Sequence, residues 1–104
     1  MAKPHILIDK TELVLMVEIK NKFTIVNLQK DDISRIQFDE IKEFKFFRRI
    51  PSESIRIFSR KSIEPYKYKR KREKAFWEGY KEKLAHFAKN NMVTFADNIG
   101  GKNT

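Results

Sequence analysis

The chain has 104 residues, 40% of them apolar and 36% charged, with no cysteine and a formal net charge of +9. This length bounds it to one domain around one core, and the missing cysteines exclude disulfides, thiol nucleophiles and thiolate metal sites. Nine Phe, three Tyr and one Trp exclude the aromatic-poor composition of a disordered chain.

The start, MAKPHILIDK, carries one basic residue ahead of a short apolar stretch that Asp9 ends. No signal peptide is read there, and a cytoplasmic location is expected. No apolar run approaches the roughly 20 residues that a membrane-spanning helix needs. Ile6 to Ile8 opens a short strand. LVLMVEI then sets Leu13, Leu15, Val17 and Ile19 on one face, with Val14, Met16 and Glu18 on the other, the period-2 pattern of a strand. KNK (20–22) breaks the pattern and FTIVNL (23–28) resumes it. A hairpin is expected, with Asn21 suited to a turn because Asn tolerates positive φ. QKDD (29–32) is the next turn. In ISRIQF, Ile36 and Phe38 are in phase and Ile33 is not, which predicts a bulge or a late start of the strand.

DEIKEFKFFRRI is read as another strand, with Phe44 and Phe46 on one side and Lys45 and Phe47 on the other. Residues 39–43 fit a helical turn equally well. IPSES is read as a loop, in which Pro51 forces Ile50 toward extended geometry. SIRIFS turns Ile55 and Ile57 inward. EPYKYK puts Tyr66 and Tyr68 on one face and Lys67 and Lys69 on the other. The period then changes: Phe76, Trp77, Tyr80, Leu84, Phe87 and Ala88 fall on one side of a helix. Glu78, Lys81, Glu82 and Lys89 fall on the opposite side. The helix is expected to end near Asn90–Asn91, with MVTF (92–95) packing back on the body and IGGKNT as a frayed tail. The fold class is mainly β: six to seven antiparallel strands in a sandwich or partly open barrel, capped by one amphipathic helix. We read residues 1–96 as the domain and 97–104 as a flexible tail.

Residues 1–44 carry a net charge of −1 and residues 45–104 a net of +10. The whole excess lies in the second half, which points either to a polyanionic partner or to a surface charged for solubility. Lys69, Arg70, Lys71 and Arg72 are expected in or just before the first helical turn, where the helix dipole disfavours cations. No Ser, Thr, Asp or Asn stands close by as an N-cap. Four cations at the positive end of a helix form a candidate anion site, with Lys67 beside them. Pairing of the run with the acidic first half, for example Asp31, Asp32 or Asp39, is the structural alternative. Tyr66 and Tyr68 suit either base stacking or a core position, and strand propensity favours the core. Arg48–Arg49 and Arg60–Lys61 are further cations of the basic half.

The order of strands, the C-terminal helix and Trp77 on its buried face resemble the pleckstrin-homology-like superfold, in particular its small bacterial versions, over residues 5–91. The resemblance implies two near-orthogonal sheets with a helix capping one open corner. It also implies a non-enzymatic binding module that takes phosphoinositides, peptides or partner proteins. Lys20 and Lys22 stand where the ligand-binding loop between the first two strands would be. KNK lacks the longer basic pattern that cradles an inositol phosphate.

Signals of catalysis are sparse. His5 and His86 are read as exposed and have no partner at ligand spacing. Gly79, Gly100 and Gly101 form no phosphate loop. Asp31, Asp32 and Asp39 show no calcium-loop spacing, so no metal or cofactor is expected. The favoured partner is an acidic protein or an anionic lipid headgroup. The alternative is a small nucleic-acid-binding barrel using Lys67 to Arg72 on phosphates.

Overall fold

The structure, a computed structural model, describes residues 3–99. The chain runs β1 (Ile6–Ile8), β2 (Glu12–Ile19), β3 (Lys22–Gln29), β4 (Ile33–Lys45), β5 (Arg48–Ser59), β6 (Tyr66–Lys69), α1 (Trp77–Asn91) and β7 (Thr94–Asn98). Short 3-10 turns at Lys30–Asp32 and Lys74–Phe76 precede β4 and α1. The protein is mainly β, with two sheets ordered β1-β2-β3 and β6-β5-β4-β7 that do not close into a barrel.

The core is what the alternation predicts. Leu13 pairs with Leu28 and Ile6 with Leu15 on the inner face of the first sheet. Ile36 pairs with Ile57 and Phe38 with Ile55 on that of the second. All eight are buried, and Trp77, Tyr80, Leu84, Phe87 and Ala88 of α1 complete the core. Trp77 is 1% exposed, so its truncation to Ala opens a cavity worth roughly 3–5 kcal/mol. The bulge expected at Ile33 is present as a register shift between Ile33 and Arg35.

Several expectations need correction. The seventh strand follows the helix and pairs with β4 in parallel, Arg35 opposite Thr94, so the strands are not all antiparallel. Asp97 and Asn98 belong to it and not to a tail. The expected tail residues 100–104 lie outside the described residues. The strand expected through DEIKEFKFFRRI is cut by a two-residue turn at Phe46–Phe47, between Lys45 and Arg48. IPSES is not a loop but lies inside β5, with Pro51 opposite Lys42. Pro is tolerated there because β6 pairs only with residues 54–57, leaving that edge of β5 unpaired at residue 51. Ile19 is 52% exposed, because the β2–β3 hairpin outruns the core.

Both hairpin turns have two residues at positive φ: Lys20 at 51° and Asn21 at 65°, Phe46 at 52° and Phe47 at 61°. This is the type I′ requirement, normally met by Asn-Gly or Asp-Gly. A bulky residue held there costs roughly 1–2 kcal/mol. Helix α1 starts without a side-chain N-cap and ends on Met92 at φ 57°. Asn91 is therefore the last helical residue, and its amide donates to the carbonyls of Phe87 and Lys10.

A candidate anion-binding groove

The site begins at β6. Tyr68 stands opposite Ile55 and Tyr66 opposite Ile57, so both rings turn toward the core, as expected. Tyr68 is buried, Tyr66 half-buried and Lys67 exposed. The Tyr68 hydroxyl reaches the other sheet and donates to the Met16 carbonyl at 2.9 Å. Burial, reinforced by the Glu73 charge, pushes its phenol far above the ordinary value, so it stays a neutral donor.

Beside this bridge lies an open groove of about 870 Å³. Residues 16–21 of β2 and its turn border one side, and residues 64–69 and 71–73 the other. Both rims contain strand segments whose outer edge carries no further strand among the described residues, although Met16 is already bonded there, its N–H to the His5 carbonyl and its carbonyl to Tyr68. β6 is the outermost strand of its sheet, and β1 pairs with β2 only at residues 13–15.

Five of the seven expected site residues meet in the groove: Lys20, Lys67, Lys69, Lys71 and Arg72. Arg72 reaches across it to Glu18, Nη1 to Oε1 at 3.7 Å. The four lysines make no ion pair or side-chain hydrogen bond among the described residues. Lys22 lies outside the groove, exposed and opposite Ile19 across the turn. Arg70 also lies outside. Its Nη1 is 3.4 Å from Glu53 Oε2 and its Nη2 donates to the Pro51 carbonyl at 3.2 Å. The run does pair with an acid of the first half, Glu18, but not with the expected aspartates. Its acidic partners are Glu18 and Glu53, whereas Asp39 pairs with Arg56 at 2.8 Å and Asp32 with Lys61 at 3.4 Å. Nor does the run sit on the helix: Lys69 ends β6, residues 70–72 form a turn, and α1 starts at Trp77. The helix dipole fades within a turn, so the anion attraction here is that of the side chains.

The turn between β6 and α1 is held by two acids that local sequence patterns do not flag. Glu73 is buried and accepts from His5 Nδ1 at 2.8 Å and from the Tyr80 hydroxyl at 3.1 Å. That hydroxyl in turn accepts from the His5 backbone N–H at 2.8 Å. His5 is thus half-buried and partnered rather than a free surface residue, while His86 is exposed. Burial is the main cause that pushes the Tyr80 phenol up to about 12, with the Glu73 charge adding to it.

Glu53 is the second acid. Its Oε1 accepts from Trp77 Nε1 at 2.7 Å and from Lys81 Nζ at 2.9 Å. Burial alone would raise its carboxyl, but these hydrogen bonds and the Lys81 and Arg70 charges outweigh it and hold it below its ordinary value. The one hint in the sequence is Trp77 itself, since a buried indole N–H usually finds an acceptor.

Among the described residues, no group of three or more His, Asp or Glu stands where it would hold a metal ion. No described helix is long and apolar enough to cross a membrane. Compared with protein-family models, with curated proteins and with solved structures, the chain finds no match in any of the three.

Proposed function

We propose that this protein is a non-enzymatic binding module of the pleckstrin-homology-like kind, and that its groove takes an extended acidic segment of a partner protein. One observation carries the reading: Lys20 of the β2–β3 turn, Lys67 and Lys69 of β6 and Lys71 of the turn after it line one groove, and among the described residues no acid pairs with them. Unpaired cations around a concavity raise the local concentration of anionic ligands. The free strand edges on both rims favour a protein segment, because an extended peptide adds to an open edge through its main chain while its side chains meet the lysines. Two sheets, a capping helix and buried Trp77 support the family likeness, from which the parallel β7 departs.

Nucleic acid is the weaker reading. Base stacking needs open aromatic faces, and Tyr68 is buried and Tyr66 half-buried. The test is calorimetric titration with a Glu-rich peptide across a salt series. Binding that weakens at least tenfold in Lys67→Glu/Lys71→Glu, with the fold intact by circular dichroism, is the expected result. Both lysines are exposed, so the double variant should fold. Absence of binding at low salt, or binding indifferent to the two reversals, overturns the reading. So does tighter binding of a single-stranded oligonucleotide with a steep log–log salt slope.

A further inference from the structure

The β4–β5 hairpin leaves the body as a two-stranded ribbon whose base stays fastened, at Glu53 to Trp77 and Lys81 and at the Pro51 carbonyl to Arg70. β7 pairs with β4 only as far as Asp39, and β6 with β5 only as far as Ser54. The six residue pairs from Glu40–Glu53 to Lys45–Arg48 have no further strand beside them. At about 3.4 Å per pair this is an arm of roughly 20 Å. The β2–β3 turn also exposes Ile19, Phe23 and Ile25 beside Lys20 and Lys22, but the tip of this arm carries three exposed Phe against one there. All seven residues from Phe44 to Ile50 are exposed; four are large and apolar, three are cations, and none is acidic. Phe44, Phe46 and Phe47 are 71%, 78% and 93% exposed. Acids begin only toward the base, at Glu43, Glu40 and Glu53. Lys45 Nζ lies 5.4 Å from the centre of the Phe46 ring, holding a cation against the apolar tip.

We infer that this tip inserts into the headgroup region of an anionic lipid bilayer, with Phe46 and Phe47 below the headgroups and Lys45, Arg48 and Arg49 among them. Four observations select this occupant. The tip is convex, so it suits a deformable interface better than it suits a pocketless protein surface. Aromatics at the apex with cations beside them match the layered polarity of a membrane interface, where aromatic rings settle at headgroup level and basic residues pair with anionic lipid. A second copy of the same tip would bring three like charges against three, which opposes self-association. Finally, the two-residue turn requires positive φ of both apex residues but does not require phenylalanine there, and bulky side chains kept at such a strained placement tend to mark a functional position.

The inference concerns a surface separate from the groove and can fail independently of it. The test is co-sedimentation with phosphatidylserine–phosphatidylcholine vesicles and with phosphatidylcholine vesicles alone. Binding to the mixed vesicles should exceed that to the neutral ones. Replacing Phe46→Asn and Phe47→Gly together installs a pair preferred in a type I′ turn, so the fold should be kept while partitioning falls at least tenfold. Removing any one of Lys45, Arg48 or Arg49 should weaken it roughly fivefold. A Phe47→Trp variant should be quenched by brominated acyl chains, a readout that does not depend on the groove. Equal binding to both vesicle types, partitioning unchanged in the double variant, or no quenching at position 47 overturns the inference. So does a dimer that the double variant abolishes in the absence of lipid.

Discussion

The two hairpins share a turn geometry and exposed apolar flanks beside cations, and differ in which residues meet that geometry and in what holds them to the body. Each closes on two residues at positive φ. The β2–β3 turn meets that demand with Lys20–Asn21, and Asn is among the residues that tolerate it. Its flank borders the groove and is tied to the body by the Tyr68 hydroxyl at Met16. The β4–β5 turn meets the same demand with two phenylalanines, exposes both and stands on an arm without strand neighbours. The contrast separates local folding rules from selection for contact. A turn that only had to connect two strands would not carry Phe46 and Phe47.

Between the two hairpins, the largest effect should come from the base of the arm. Glu53→Ala leaves the Trp77 indole N–H without its acceptor and Lys81 with only Glu78 at 3.5 Å, and should cost about 2–4 kcal/mol in denaturant unfolding. The same change anywhere near the β2–β3 turn should cost far less.

The two fastenings also titrate in opposite directions. Glu53 is held below the ordinary carboxylate value, so its contribution is present above that ordinary value and is lost as pH falls through the lower folded value. Tyr80 is raised from 10.0 to about 12, so its contribution is complete below pH 10 and is lost as pH climbs toward 12. Acid should therefore loosen the helix from the arm, visible as a red shift of Trp77 fluorescence. Alkali should instead drive the Tyr80 oxygen from the Glu73 carboxylate and loosen α1 from the turn before it, visible as tyrosinate absorbance that rises together with loss of structure.

Smaller effects should have opposite signs at the two turns. Phe46→Asn with Phe47→Gly should stabilise the protein by roughly 1–2 kcal/mol through relief of strain. Asn21→Ala should destabilise it by about 1 kcal/mol, because Ala fits positive φ poorly. A gain at the first site and a loss at the second, measured by chemical denaturation, would establish that only one turn is optimised for folding. Gly79→Ala gives the baseline. Gly79 is in α1, exposed, with open space where a Cβ would sit, and the change should add about 0.5–1 kcal/mol.

Most of the core was legible because its period is local. Ile36 with Phe38, Ile55 with Ile57, and the helical stripe from Trp77 to Ala88 each announce one buried face within a few residues. The turn at Phe46–Phe47 was not, since alternation runs straight through it and no turn residue marks it. β7 was hidden for a different reason: Thr94–Asn98 is largely exposed and joins β4 by backbone pairing. The groove was half legible. The basic character of 67–72 is plain in the sequence, but the meeting of Lys67 and Lys71 with Lys20 depends on how two sheets face each other. The removal of Arg70 from the set depends on Glu53, an acid in a segment that reads as a loop.

The parallel pairing of β7 with β4 has a consequence for how the protein forms. Arg35 to Asp39 are joined on one side by the hairpin partner β5, available as soon as the hairpin folds. On the other side they wait for a segment that lies beyond the whole of α1. Until that segment docks, β4 presents an open hydrogen-bonding edge next to Ile36 and Phe38, the kind of edge that recruits strands from other chains. Such long-range closure is slow. On a ribosome, β4 would therefore be the last strand of the second sheet to gain its full set of neighbours, and the interval before it does so is when the nascent chain is most exposed to misassembly.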